Sequence, residues 1–224
     1  MTQTAKTRRK KLLIADMDST MVTGETLDEL AAFAGVKDRV AAITARAMNG
    51  ELDFEAALDE RVGLLDGMST DMLAEAWKTV EYTGGAKTLV ATMKANGAYA
   101  ALVSGGFDFF TGAVRRELGF DFDQANVLIT KDGTLTGKVQ KPVLDRQAKV
   151  DALEKLSAQQ GVGVEDAIAV GDGANDLQMI SLAGTGVAFH AKPSVQEQAR
   201  ICINHGDLTA LLYLQGYAKS DFSS

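Results

Sequence analysis

The chain has 224 residues, enough for one domain with a substantial core or for a core carrying a small insertion. Acidic residues outnumber basic ones 30 to 23, a formal charge of -7, which repels a phosphate backbone and argues against a nucleic-acid partner. Hydrophobic residues make up 46% and charged residues 24%, as in ordinary globular proteins, and no apolar run approaches the roughly 20 residues of a membrane span.

The first eleven residues are polar and basic and lack the apolar stretch of a signal peptide, so a cytoplasmic location is expected. Arg8-Arg9-Lys10-Lys11 reads as a solvated, disordered terminus, with a weak anion-binding patch as the other reading. Leu12-Leu13-Ile14-Ala15 is a short apolar run ending abruptly in Asp16, the pattern of a buried parallel strand whose carboxyl end opens on a polar site. From Glu25 to about Val80 no strand pattern is convincing, whereas Leu27, Leu30, Ala31 and Ala34 recur at helical spacing. This segment reads as a helical insertion, with Trp77 and Phe33 in its core.

Beyond it the strand pattern returns. Ala98 to Val103 precedes Ser104-Gly105-Gly106, and a helical pattern covers Phe107 to Leu118. Val127-Leu128-Ile129 and Thr134-Leu135-Thr136 flank Asp132-Gly133, a strong short-range hairpin signal. A second helical pattern runs from Asp145 to Gln160, and further strands cover Ala167 to Val170 and Gly186 to Phe189. His190 follows the last of these and suits a structural or rim position, while His205 reads as a loop residue. Cys202, the single cysteine, suits a reducing compartment and reads as a buried strand residue, not a nucleophile. The alternation defines the expected fold: α/β, a doubly wound and mostly parallel sheet with an inserted helical cap and a small β-hairpin. The expected core is 1–22 and 84–224, with the hairpin at about 126–140 and the cap at 23–83.

Chemistry gathers at the expected strand ends, where such sheets bind ligands. Asp16-Met17-Asp18-Ser19-Thr20 follows the first strand, and its two carboxylates approach only if the backbone turns sharply. A solvated loop pair is the alternative, but it must account for charge at the mouth of a core strand. Gly171-Asp172-Gly173-Ala174-Asn175-Asp176 follows another strand; the glycines permit a tight loop, and Asp172 and Asp176 add two carboxylates. Four converging carboxylates would repel one another unless a cation lay among them. Hard oxygen ligands without a histidine or thiolate cluster point to Mg²⁺ and not zinc. Ser104 beside glycine amides could cradle a phosphate, although Ser-Gly-Gly is also common loop chemistry. Lys149, on a helical segment, could offset the phosphate's charge or simply be solvated. Together the four elements describe phosphoryl transfer: an aspartate is anionic at pH 7 and attacks without a base, and a second carboxyl moves the protons.

DMDST, SGG, a spaced lysine and GDGAND, in that order, resemble the haloacid-dehalogenase-like hydrolase superfamily, and within it the phosphoserine phosphatases. The resemblance runs from Lys11 over nearly the whole chain. It implies that Asp16 is the nucleophile and Asp18 the general acid and base. It further implies that Mg²⁺ is held by Asp16, Asp18 through its backbone carbonyl, and Asp172, with Asp176 in support. Ser104, Gly105 and Lys149 would hold the phosphate, with Asn175 alongside. Lys141 is a rival to Lys149, because the spacing around the family lysine departs somewhat here. Glu25 falls where the family meets the substrate ammonium, and Arg61 where it pairs with the substrate carboxylate. Met48 and Phe54 would form the apolar wall over the ligand. Glu25 as a helix N-terminal acid and Arg61 as a surface ion-pair residue are the competing structural readings.

The implied activity is hydrolysis of phosphoserine to serine and phosphate through a phospho-aspartate, the last step of serine biosynthesis. The alternatives are another small phosphomonoester, transfer of the phosphoryl group to an alcohol such as homoserine, or a non-catalytic phospholigand-binding protein. Some relatives carry an N-terminal regulatory domain for which this chain has no room, so feedback by serine through such a domain is not expected. The expected partner is a small-molecule substrate, with no nucleic acid or membrane, and the chain is expected to be a monomer or homodimer.

Overall fold

The computed structural model describes residues 8–223, apart from the Met48 side chain. Strand β1 (Leu12–Ala15) lies inside a six-stranded sheet with β2 (Tyr99–Phe107), β3 (Phe122–Asn126), β6 (Ala167–Gly171), β7 (Thr185–Phe189) and β8 (Cys202–Ile203). Their order is β3-β2-β1-β6-β7-β8, and every pairing is parallel. β1 and β6 are buried at every position, which explains why they read as uninterrupted apolar runs without alternation.

The period of two nevertheless sorts their side chains. Leu13 and Ala15 share a core cluster with Met93, Phe110 and Leu211, whereas Leu12 and Ile14 share another with Leu153 and Leu156. Helices supply these partners: α5 (Ala86–Ala95), α6 (Asp108–Leu118), α7 (Arg146–Gln159) and α10 (Ala210–Leu214). Two short helices, α8 (Leu177–Leu182) and α9 (Pro193–Gln196), link β6 to β7 and β7 to β8. The connections leaving β1 and β6 run in opposite directions across the sheet, so a crevice opens at their carboxyl ends. Among the described residues, no helix is long and apolar enough to cross a membrane.

Between β1 and α5 lie four helices: α1 (Thr26–Phe33), α2 (Lys37–Met48), α3 (Phe54–Gly63) and α4 (Asp71–Trp77). Asp53 starts α3 by accepting the Ala56 N–H at 2.8 Å. Strands β4 (Leu128–Lys131) and β5 (Thr134–Val139) form the expected antiparallel hairpin. Asp132 and Gly133 both have positive φ, 50° and 78°, as a tight hairpin turn requires. The hairpin bonds to the helical segment: Gly67 donates to Leu135 O, Leu135 to Met68 O and Thr70 to Gly133 O, at 2.8 to 2.9 Å.

The structure corrects several expectations. The strand expected at Ala98 to Val103 runs on through Ser104-Gly105-Gly106 to Phe107, because Phe107 pairs with Asn126 after a register shift. β3 carries no apolar run, being a half-buried flanking strand, and so escaped notice. Cys202 is exposed, on a two-residue strand at the sheet edge. Phe33 is 39% exposed and not in a core, whereas Trp77 is partly buried between Tyr82 and Phe110. The basic cluster is built in from Arg8 onward. Arg9 lies over the Tyr217 ring and pairs with Asp221 at 2.9 Å, and Lys10 is buried with Nζ on Glu165 O at 2.7 Å. The earlier part of that terminus lies outside the described residues.

Candidate active site

The site grows from the carboxyl end of β1. Asp16 is still on the sheet ladder, its N–H donating to Val170 O at 3.0 Å, and its Oδ1 accepts the Met17 N–H at 2.8 Å. The chain then turns sharply, with Ser19 at φ 54°. The turn brings Asp18 beneath α1, where Oδ1 accepts the Thr26 N–H at 2.9 Å. Asp18, and not Glu25, therefore satisfies this helix start. Glu25 occupies the N-cap position without a side-chain cap bond and instead accepts the Ser19 hydroxyl at 2.9 Å.

From β2, the Ser104 Oγ accepts the Gly106 N–H at 2.9 Å. A Cβ on Gly106 would stand 2.9 Å from Asp18 Oδ2 and 3.1 Å from Ser104 Oγ, so a larger residue would displace one of these groups. From β6, Asp172 and Asp176 enter on the GDGAND loop, and Asp176 Oδ2 accepts the Gly173 N–H at 3.0 Å. From α7, whose start is capped by Asp145 accepting the Gln147 N–H at 2.8 Å, comes Lys149. It is 2% exposed, with Nζ 2.7 Å from Asp16 Oδ1 and 2.5 Å from Asp176 Oδ1.

These groups perturb one another. Burial, then the Asp176 carboxylate, push Asp16 well above the usual aspartate range, and Lys149 pulls the other way. Burial and the Glu25 carboxylate raise Asp18 to about 7, against the Thr26 bond. Burial and Asp176 raise Asp172 to about 6. Burial disfavours the charge on Lys149, but Asp16 and Asp176 more than offset this and hold it above the usual lysine range.

Three buried aspartates, Asp16, Asp172 and Asp176, each offer a carboxylate oxygen within 4.8 Å of the others, and Lys149 pairs with only two of them, Asp16 and Asp176. The uncompensated negative charge and the all-oxygen donor set fit a hard divalent cation. This has a consequence for stability. A carboxyl raised on folding favours the fold below its unfolded value near 4 and loses that contribution as pH rises through the folded value. Protein stripped of metal by EDTA is therefore expected to melt at lower temperature at pH 8 than at pH 5.5. An added divalent cation should raise Tm more at pH 8, by several degrees at roughly 2–4 °C per kcal/mol for this size. Equal shifts at both pH values, read by thermal unfolding, would contradict the assignment.

A cleft of about 250 Å³ opens over these residues, a size for a small metabolite. It brings together Asp16, Asp18, Glu25, Phe54, Arg61, Ser104, Gly105, Asp172 and Asn175. Phe54 lies over the loop, since a Cβ on Gly105 would be 3.6 Å from its ring. Arg61 is half-buried, donates Nε–H to Ala57 O at 3.1 Å, and takes part in none of the salt bridges found among the described residues. Burial lowers its guanidinium from the ordinary value, while Asp28 and Glu25 act in the other direction.

The rival Lys141 does not reach the cleft. It is exposed and pairs with Glu55 and Asp59 of α3, each at 2.7 Å. The expectation for the Met48 side chain lies outside what the structure describes. His190 is exposed and stacked on Phe189, and His205 is an exposed loop residue. Sequence reading missed Lys192 and the apolar Leu27 and Leu58, which also line the cleft. Lys192 follows β7, another strand ending at the same edge, and that position was the available signal. A second hollow of about 340 Å³ near Tyr82, Lys87 and Glu117 lies apart from these carboxylates.

Fold and site together define a doubly wound α/β protein with a carboxylate-rich centre at the carboxyl ends of its strands. The profile of the haloacid dehalogenase-like hydrolases matches residues 13–181, and the chain belongs to this family. It is 45% identical to a phosphoserine phosphatase of Methanocaldococcus jannaschii over 92% of this chain and 97% of that protein. It is 44% identical to a phosphoserine phosphatase of Streptomyces coelicolor over 96% of this chain, spanning about half, 52%, of that longer protein. Among solved structures, a phospho-aspartyl intermediate analogue of phosphoserine phosphatase superposes with TM-score 0.85 at 45% identity, covering 92% of this chain and 98% of that one.

Proposed function

We propose that this chain hydrolyses O-phospho-L-serine to L-serine and phosphate through a phospho-aspartate on Asp16. The observation that carries the reading is that Glu25 and Arg61 line the same small cleft as Asp16, Asp18 and Ser104. An acid and an arginine fork match the ammonium and carboxylate of an amino acid. The strand-end residues match its phosphate.

In this mechanism Arg61 and Glu25 orient the serine end, and Ser104, Gly105 and Lys149 hold the phosphoryl oxygens. The Asp16 carboxylate attacks phosphorus; a bond from its oxygen to phosphorus forms as the bond to the serine oxygen breaks. Asp18, whose carboxyl titrates near 7, gives its proton to that leaving oxygen. It then takes a proton from water, whose oxygen attacks phosphorus, releasing phosphate and restoring Asp16. Phe54, with its ring over Gly105, helps exclude bulk water.

Asp16, Asp172 and the backbone carbonyl of Asp18 would hold a metal ion, proposed to be Mg²⁺. Asp176 would support from behind, since its two oxygens already engage Lys149 and Gly173. When bound, the ion neutralises charge on the transferring group. The helices between Thr23 and Thr83 are proposed to act as the cap that carries specificity, and the hairpin at 126–140, expected in the core, is proposed to join them because it bonds to Gly67, Met68 and Thr70.

Arg61→Ala tests the substrate assignment. Losing a charge-assisted pair is expected to raise KM for phosphoserine by about 100-fold. KM for an aryl phosphate without a carboxylate should change by less than about threefold. Equal losses on both substrates would remove Arg61 from recognition.

A further inference from the structure

Asn126, the last residue of β3, is 2% exposed, and its amide is committed to the backbone of two other segments. Nδ2 donates to Gly105 O at 2.9 Å and to Leu144 O at 3.3 Å, and Oδ1 accepts the Leu144 N–H at 2.7 Å. The register shift between β2 and β3 sets Asn126 opposite Phe107, immediately past the Ser104-Gly105-Gly106 segment. Gly105 O belongs to the peptide group whose N–H, on Gly106, donates to Ser104 Oγ at 2.9 Å. A peptide group is planar, so fixing its carbonyl fixes the direction of its N–H. A hydroxyl oxygen that already accepts one bond keeps its own proton free to donate, and bonds arranged in such a chain polarise one another. Through Leu144 the same amide also steadies the approach to α7, the helix that carries Lys149.

We propose that Asn126 is a positioning residue for phosphate binding. Acting through the Gly105–Gly106 peptide, it holds Ser104 Oγ as an acceptor on its inner side and directs the hydroxyl proton to a phosphate oxygen in the cleft. This rests on the reading that Ser104 receives the phosphate group. Asn126 itself does not line the cleft, so its effect passes through its neighbours.

The test is a double-mutant cycle on inorganic phosphate, titrated calorimetrically into the Mg²⁺-loaded protein, a readout that does not need turnover. Ser104→Ala is expected to raise Kd about 10-fold, the value of one hydrogen bond to a charged group. Asn126→Ala is expected to raise it about 5-fold. The double variant should be within about twofold of Ser104→Ala alone, because the second change removes support for a group already gone. Asn126→Asp keeps the Leu144 N–H bond but turns a carboxylate oxygen on two carbonyls, and should bind phosphate no better than Asn126→Ala. Multiplying effects in the double variant would overturn the inference and leave the Ser104 assignment standing. An unchanged Kd in Ser104→Ala would overturn the Ser104 assignment and the inference with it. Thermal unfolding checks that each variant is folded, and should Asn126→Ala not fold, Asn126→Ser carries the cycle.

Discussion

Asp16→Asn is expected to lower phosphate release from phosphoserine by about 10⁴- to 10⁶-fold, the scale seen when a covalent nucleophile is removed. Asparagine has the same shape and keeps an oxygen to accept the Met17 N–H, but its neutral amide does not attack phosphorus. The fold should survive. Lys149 retains Asp176 as a partner at 2.5 Å, and the change takes one negative charge from a cluster that is already overcharged. Phosphate release over time and Tm, measured on the same preparation, check both halves. A folded Asp16→Asn protein with near-normal turnover would end the nucleophile assignment.

Lys149→Met is expected to damage both chemistry and stability, which sets it apart from the first substitution. Lys149 is 2% exposed and is the cation shared by Asp16 and Asp176. Methionine fills similar space but leaves two buried carboxylates facing each other uncompensated. Breaking a buried ion pair from one side costs about 3–5 kcal/mol, or roughly 10 °C in Tm for a chain of this size. Loss of one charge-stabilising donor should lower turnover by about 10²- to 10³-fold. Lys149→Met with Asp176→Asn is expected to regain part of the stability without regaining activity. Denaturant or thermal unfolding alongside phosphate release reads both effects, and an unchanged Tm in Lys149→Met would contradict the buried-pair account. Lys141→Met, by contrast, removes only solvent-screened exposed pairs and is expected to leave Tm and turnover essentially unchanged.

The parts of the fold most legible in sequence are those where burial and chemistry meet abruptly. Leu12 to Ala15 and Ala167 to Val170 are buried on both faces, so nothing interrupts their apolar runs, and the charged residues after them mark the crevice. The hairpin was legible because Asp132-Gly133 is one of the few pairs that accept positive φ at both positions. Elements held by side-chain bonds to distant backbone were not legible. β3 is FDQAN, polar and half-buried, and it is held through Asn126 by Gly105 and Leu144 at sequence separations of 21 and 18. Cys202 and Phe33 were misread for one shared reason: an apolar residue within a strand or helix pattern was assumed to face inward. One lies on an edge strand and the other on the outer face of its helix. Glu25 and Arg61 were legible only through the family resemblance. Their spacing of 36 positions carries no local signal, and only the packing of α1 and α3 over the crevice brings them together.

The most direct test of the central claim is phosphate release in Mg²⁺ from L-phosphoserine, run beside phosphothreonine, sugar phosphates and an aryl phosphate, with homoserine added as a competing acceptor. The account predicts the highest kcat/KM on phosphoserine, loss of activity in EDTA, and free phosphate as the product even with homoserine present. Equal or greater kcat/KM on a sugar or aryl phosphate would contradict the assignment of Glu25 and Arg61 to an amino-acid substrate.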